Sequence, residues 1–415
     1  MIHSLRAFHH RNFRLFFYGQ SVSLIGTWTQ QIAMLWLVYR LTHSAFLLGV
    51  TGFASQIAIL VFAPFGGIWS DRLDRRRMLL VTQSLFLLQG LILALLTYTH
   101  LIQVWHVIAM ALLLGLVMAF DTPIRQAFLP QMVPSKADLP SAIAFNAFMQ
   151  NAGRLIGPTI AGFLIAWAGE GFCFLLNGIS KFAVIAAVLQ MAVARHQPRA
   201  TKTSVVKDFA EGVAYCWNVV PIRMLLPLLA LVSFMASPYA TLMPIFAKEV
   251  FHGGAKTMGF LIGAAGFGAL VGMIWLAARK SVRGLSRMII CTTALAGISL
   301  MVFSYSRLLW LALPAMALAG FGIVVTAMSV SMILQTIVDD DKRGRVMSFF
   351  TISFLGMTPL GSLAAGALAS AIGAPHTLAI GGACCVAGAW VLRHKLPQFR
   401  IHLRPIYVRL GIIAD

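Results

Sequence analysis

Gly67-Ile68-Trp69-Ser70-Asp71-Arg72-Leu73-Asp74-Arg75-Arg76-Arg77 packs two acids and four arginines into eleven residues of a chain that is only 11% charged. Apolar runs flank it on both sides, each long enough to cross a bilayer, for which a helix needs about 20 residues. Charge this dense between two such runs marks a turn at a membrane surface, where arginines reach the headgroups. The rest of the chain agrees with that setting. Its 415 residues are 59% hydrophobic, with a mean hydropathy of +0.85, a composition that excludes a soluble globular domain.

Apolar runs between polar punctuation fall at 13–39, 45–69, 78–99, 104–127, 140–168, 171–194, 223–247, 257–278, 285–305, 308–333, 346–371 and 375–394. Twelve spans with short connections use nearly the whole length. The expected fold is an all-α membrane protein, twelve transmembrane helices in two pseudo-symmetric six-helix bundles. Residues 1–194 form the N-terminal bundle, 195–222 a cytoplasmic linker with a surface helix, 223–394 the C-terminal bundle and 395–415 a basic cytoplasmic tail. The first run is too long and too polar on one face for a cleaved signal, so it is expected to stay as a helix.

The net charge of +20 raises the question of nucleic acid. The basic residues are not gathered on one face, however; they alternate from loop to loop. One set of connections holds Arg6, Arg11, Arg14, the arginines of residues 72–77, Lys136, five basic residues over 195–223, four over 279–287, Lys342, Arg343, Arg345 and five over 393–409, 25 in total. The other set holds four: Arg40, Lys248, Lys256 and Arg307. An imbalance of that size sets orientation in a membrane, with both termini and the 195–222 linker cytoplasmic. It gives no reason to expect nucleic acid.

Cys173, Cys216, Cys291, Cys384 and Cys385 lie scattered in or beside apolar runs without Cys-x-x-Cys spacing, so they read as small hydrophobes. The histidines fall near helix ends or in loops, and no metal or cofactor signature is visible. No nucleophile and base pair or nucleotide loop points to an enzyme.

The two halves carry traces of one repeat. A shift of 204 residues lays Gly157, Ala161, Gly162, Leu164 and Gly169 over Gly361, Ala365, Gly366, Leu368 and Gly373, and Gln131 over Gln335. The fifth and eleventh helices therefore correspond. A shift of 206 matches Gly66, Ile68 and Trp69 with Gly272, Ile274 and Trp275, but Asp71 then faces Ala277. The charged loop belongs to the first half alone.

The pattern Gly67-x-x-x-Asp71-Arg72-x-x-Arg75-Arg76 resembles the signature loop of the major facilitator superfamily. The resemblance implies an alternating-access secondary transporter. In that family the loop's Asp and Arg hold one conformation through an acidic partner low on helix four, the place matched here by Asp121. Gly67, Asp71, Arg72, Arg75, Arg76 and Asp121 are thus the expected conformational lock, against the plainer reading of leaflet anchoring by arginine. Asp74 stands where the family usually has Gly. Helix five, with Gly153, Gly157, Pro158 and Gly162, resembles the family's antiporter motif, although small residues four apart also simply let helices pack closely.

Polar residues inside the spans point to a wet path. Gln20, Ser23, Thr27 and Gln30 repeat every three or four residues down helix one, and Asn146, Gln150 and Arg154 every four down helix five, each set on one face. Gln56 and Asn177 extend the set. Charges within a span cost about 2.5–3.5 kcal/mol each on insertion scales. Arg125 can be neutralised by Asp121 four residues away, whereas Arg154 and Lys181 have no acidic neighbour in sequence. These residues form the candidate substrate cavity, and Arg125, Arg154 and Lys181 favour an anionic substrate. The second half offers mainly Ser, Thr, Met and Phe at such places.

Asn12-Phe13-Arg14-Leu15-Phe16, Asp121-x-Pro123-x-Arg125-Gln126-Ala127 and Arg343-Gly344-Arg345-Val346-Met347-Ser348 resemble phrases of the enterobactin exporter and macrolide efflux branch, and the resemblance covers essentially the whole chain. It implies a monomeric, multi-pass protein of the bacterial inner membrane that exports a small amphipathic compound, such as a siderophore or drug, in exchange for protons. The partners expected are that small molecule, protons and the lipid bilayer, without a cofactor. A lipid or lysophospholipid transporter and a nontransporting receptor are the alternatives.

Overall fold

The computed structural model describes residues 6–133, 135, 137–191, 213–279 and 281–409, with the side chains of 63–72, 340, 341 and 409 outside that description. No strand occurs among the described residues. In lipid every backbone N–H and C=O must be met internally, and a helix does so within one segment.

The first helices are α1 (Arg11–Thr42), α2 (Ala45–Arg72), α3 (Arg75–Tyr98) and α4 (Val104–Met132). The helical run Leu139–Gln190 breaks at Gly169, where φ is 79° and ψ 175°, giving α5 over 139–168 and α6 over 170–190. Only glycine holds that conformation without strain. The run Val220–Val250, α7, is a single apolar stretch in the sequence but contains Val220–Met235, Tyr239–Ile245 and a π turn at Phe246–Val250. Then come α8 (Ala255–Ala277), α9 (Leu285–Tyr305) and α10 (Leu309–Ile337). Helix α11 is built from Asp340–Thr351, a π turn Ile352–Gly356 and Met357–Ile372, and α12 is Ala374–His394. Ten described runs are long and apolar enough to cross a membrane. One of them contains both α5 and α6, and the polar face of α1 keeps that 32-residue helix out of the ten. The set is consistent with twelve spans.

A further helix, α13 (Leu396–Arg409), was read from the sequence only as a basic tail. It buries Phe399, Leu403 and Tyr407, four residues apart on one face, against the apolar core of α7 and α10. Burial pushes the Tyr407 hydroxyl up to about 12. Most of the expected linker lies outside the described residues; of it, 213–218 is helical.

The chain parts into two compact units, Met1–Thr201 with Ala247–Gly263, and Lys202–Phe246 with Ala264–Asp415. In the first, α1 lies along α5 and α6, α2 along α4, and α3 along α4 and α6. Glycine sets the closeness of two of these crossings: a Cβ at Gly26 would stand 2.8 Å from Ser180 Oγ, and one at Gly90 3.0 Å from the Gly178 Cα. The second unit repeats the plan, with α9 packed on α10 and α12, and α7 on α11 and α12. Gly373 between α11 and α12 takes φ 87° and ψ 154°, close to Gly169, the residue it matches in the 204-residue repeat.

Candidate substrate and coupling site

The site is assembled in the first unit from polar faces that α1, α3, α4 and α6 turn inward. Gln30 of α1 donates through Nε2 to Gln89 Oε1 at 2.7 Å and accepts from Asn177 Nδ2 at 2.7 Å. Gln89 Nε2 in turn donates to the Met110 carbonyl at 3.2 Å. All three amides are buried, so this chain of bonds joins α1, α3, α4 and α6 across an otherwise apolar interior. Beside it Lys181 Nζ donates to Ser23 Oγ at 2.6 Å, Thr27 Oγ1 at 2.7 Å and the Ser23 carbonyl at 3.2 Å. The Phe86 ring lies 5.3 Å from the same nitrogen. An ammonium has three N–H groups, and all three are taken.

One turn further along, Asp121 Oδ1 accepts from Thr82 Oγ1 and Gln83 Nε2, each at 2.8 Å, while Arg125 Nε stands 3.9 Å from Oδ2. The expected ion pair between Asp121 and Arg125 is present and has two further donors from α3. Arg154 contrasts with both cations. It is exposed, and its described contact is the face of Trp28, 6.0 Å from guanidinium carbon to ring centroid. Trp28 owes its seat to two of the helix-five glycines: a Cβ at Gly157 would collide with Trp28 Cβ, and one at Gly153 would meet Cδ1 at 3.3 Å. Gly162 and Pro158 serve a different contact, since a Cβ at Gly162 would stand 2.6 Å from the Ala255 carbonyl and one at Gly259 2.8 Å from that of Pro158.

Of the remaining expected cavity residues, Gln20 is buried with its Oε1 unpartnered, and Asn146 Oδ1 is likewise buried without a partner. Gln56 and Gln150 are half-buried. The lock is only partly described. Gly67, Asp71 and Arg72 lie within α2, but their side chains fall outside the described residues. Arg75 Nη1 donates to the Ala127 carbonyl at 2.9 Å, and Arg76 reaches the Val188 and Leu189 carbonyls at 3.1 and 2.7 Å. The Val188 and Leu189 carbonyls lie in the last turn of α6, where Val188 otherwise has only the Met191 N–H at 3.4 Å, and a cation there also suits the helix dipole. Asp74 serves as the N-cap of α3, accepting from the Arg77 N–H at 3.1 Å with φ −66°. The turn therefore needs no glycine at 74.

Sequence reasoning passed over Thr82, Gln83 and Gln89 on α3, although Thr82, Phe86 and Gln89 at i, i+4 and i+7 already share one face. It also passed over Trp28, and over Glu170, which is buried and paired with Arg40 at 2.9 Å. No group of three or more metal-ligating side chains occurs among the described residues.

Residues 2–406 match the Transmembrane secretion effector family. The chain belongs to that family. Its sequence is 28% identical to the Staphyloferrin A transporter of Staphylococcus aureus, over 89% of this chain and 92% of that protein. It is 24% identical to Macrolide efflux protein A of Streptococcus pyogenes, over 91% and 96%. Among solved structures, a POT family transporter in complex with a thioalcohol conjugated peptide superposes with a TM-score of 0.73 at 13% identity, covering 94% of this chain and 96% of that one. That likeness shows the fold, and it is the major facilitator fold expected from the loop after α2. A secretion effector of this kind is a multi-pass membrane transporter of small molecules.

Proposed function

We propose that this secretion effector is a proton-coupled exporter of a small amphipathic compound of the siderophore or drug kind, working by alternating access as a monomer in the bacterial inner membrane. The observation that carries the reading is the family match over nearly the whole chain, with relatives named for staphyloferrin A transport and macrolide efflux. The skew of basic residues supports a cytoplasmic location for both termini and for the 195–222 linker between the 1–194 and 223–394 bundles.

Substrate meets the first bundle along the polar faces of α1 and α5. An acidic group, where the substrate carries one, is received by Arg154, whose guanidinium keeps its donors available beside Trp28. The N–H groups of Lys181 are committed to Ser23 and Thr27. The Asp71 loop and Asp121 act as the conformational lock.

The test is transport of siderophore, macrolide and dye compounds in everted vesicles containing the protein, with and without a proton uncoupler. Uncoupler-sensitive accumulation of at least one compound supports the reading. Correctly inserted protein that moves none of them favours a lipid transporter or a nontransporting receptor.

A further inference from the structure

A proton-driven exporter needs a group inside the membrane that can hold a proton and release it, and such a group must find partners in both states. Among the side chains that the structure describes, the spans carry three carboxylates. Asp121 already accepts from a hydroxyl and an amide and faces Arg125, and Glu170 is paired with Arg40. A carboxylate so surrounded loses contacts when it takes a proton. Glu249 accepts from Tyr39 at 2.9 Å but is exposed at the end of α7.

Lys181 is placed differently. It is 2% exposed and bonded to no carboxylate; its partners are two hydroxyls and a carbonyl. A hydroxyl can donate as well as accept, and its hydrogen rotates to suit. The Thr27 hydroxyl hydrogen is directed to the Ser23 carbonyl at 2.9 Å, which leaves the Ser23 hydroxyl as the adjustable partner. As an ammonium, Lys181 donates to all three oxygens. As an amine, it donates to Thr27 Oγ1 and the Ser23 carbonyl, and its lone pair accepts the Ser23 O–H across the same 2.6 Å. Lys181 has a partner for each of its hydrogens and for its lone pair in both states, and the change between them is the turn of one hydroxyl.

The groups in direct contact with Lys181 carry no charge. From α1 it meets Ser23 and Thr27, and from α3 Phe86, none of them charged. The charged groups that act on it are Asp121 and Arg125 of α4, which are of opposite sign. Arg154 of α5 is turned to Trp28.

Resting on the proton-coupled reading above, we propose that Lys181 carries the exchanged proton, with Ser23 as its switching partner. On the outer side the amine takes one proton from water. On the inner side the ammonium returns one proton to water; the N–H bond breaks, its electron pair stays on Nζ, and that pair accepts the Ser23 hydroxyl. The ammonium repels a positively charged compound and the amine does not, so the proton and an amine-bearing substrate exclude each other.

The test uses the purified full-length protein in proteoliposomes with the amine-bearing macrolide erythromycin as probe. Two rates are compared: uptake driven by an imposed pH gradient, and erythromycin exchange without a gradient. Arginine keeps the charge but does not release its proton at working pH, so K181R should lower the ratio of gradient-driven uptake to exchange at least tenfold, and K181Q should do the same. S23A, which keeps the lysine and removes the hydroxyl, should shift the pH profile of gradient-driven uptake by at least half a unit; it also decides the matter if the Lys181 variants fail to fold. A wild-type ratio in K181R and K181Q, or an unmoved profile in S23A, overturns the role of Lys181 while leaving the exporter reading standing. Wild-type uptake that ignores the gradient overturns proton exchange itself.

Discussion

Two cations of the first unit look alike in the sequence, and only their surroundings separate them. Lys181 has every N–H bonded to α1, while Arg154 stands exposed over an indole ring. On the proposed reading, a substrate anion finds its partner at Arg154. Arg154→Ala is expected to reduce export of an acidic compound about tenfold more than that of its neutral ester, roughly the loss of one charge-assisted hydrogen bond; equal losses for the two would leave the arginine a packing role. The buried amide chain makes a stability prediction. Gln89→Leu leaves the Gln30 amide N–H without its acceptor and should cost about 1 kcal/mol, read as a lower thermal unfolding midpoint in detergent. An unchanged midpoint would mean that the chain does not hold the helices together. These amides were only half legible from sequence. Gln30 and Asn177 stood out as polar groups in apolar spans, but the partner on α3 depends on which faces meet at the Gly90–Gly178 crossing, and a single chain of residues does not state that.

Helices and their joints follow from local chemistry that the sequence declares more openly. Twelve apolar runs gave the spans to within a few residues. Glycines 204 residues apart gave the matching breaks at Gly169 and Gly373, both with positive φ. Nothing lies within 4 Å of the place where a Cβ at Gly169 would go, so Gly169→Ala tests the backbone alone. Each of Gly169→Ala and Gly373→Ala should cost about 1–3 kcal/mol, measured by thermal unfolding, and a variant as stable as the parent would contradict the strain argument. The join between α4 and α5 carries a pH signature. The His10 imidazole at 3.0 Å holds the Asp138 carboxyl below the usual carboxylate range. A depressed folded value gives a contribution that is complete above the unfolded value of about 3.9 and is lost as pH falls through the folded one. Between pH 5 and 3 the parent should therefore lose more stability than Asp138→Asn, and superimposable curves would show that the pair contributes nothing. What hydropathy missed were features without a hydropathic signal: the π turns in α7 and α11, the capping of α6 by Arg76, and the docking of α13.

For the whole molecule, composition and the charged loop after α2 were enough to read a membrane transporter, because a bilayer permits few architectures and the loop's pattern is specific. The family match confirms that reading over residues 2–406. The substrate was not legible, since Met, Phe and Leu that adapt to a ligand also fill a bilayer-facing helix. The coupling ion was not legible either. Asp121 was the one acid seen within a span, and only its three partners on α3 and α4 show how fully it is engaged. The central claim is exchange of protons for an exported small molecule, and the most direct test is uptake into proteoliposomes under an imposed pH gradient, with internal pH followed at the same time. The account predicts that accumulation of a macrolide or siderophore-like compound rises with the size of the gradient and that protons leave as the compound enters. Accumulation that is indifferent to the gradient, with no proton movement, would contradict it.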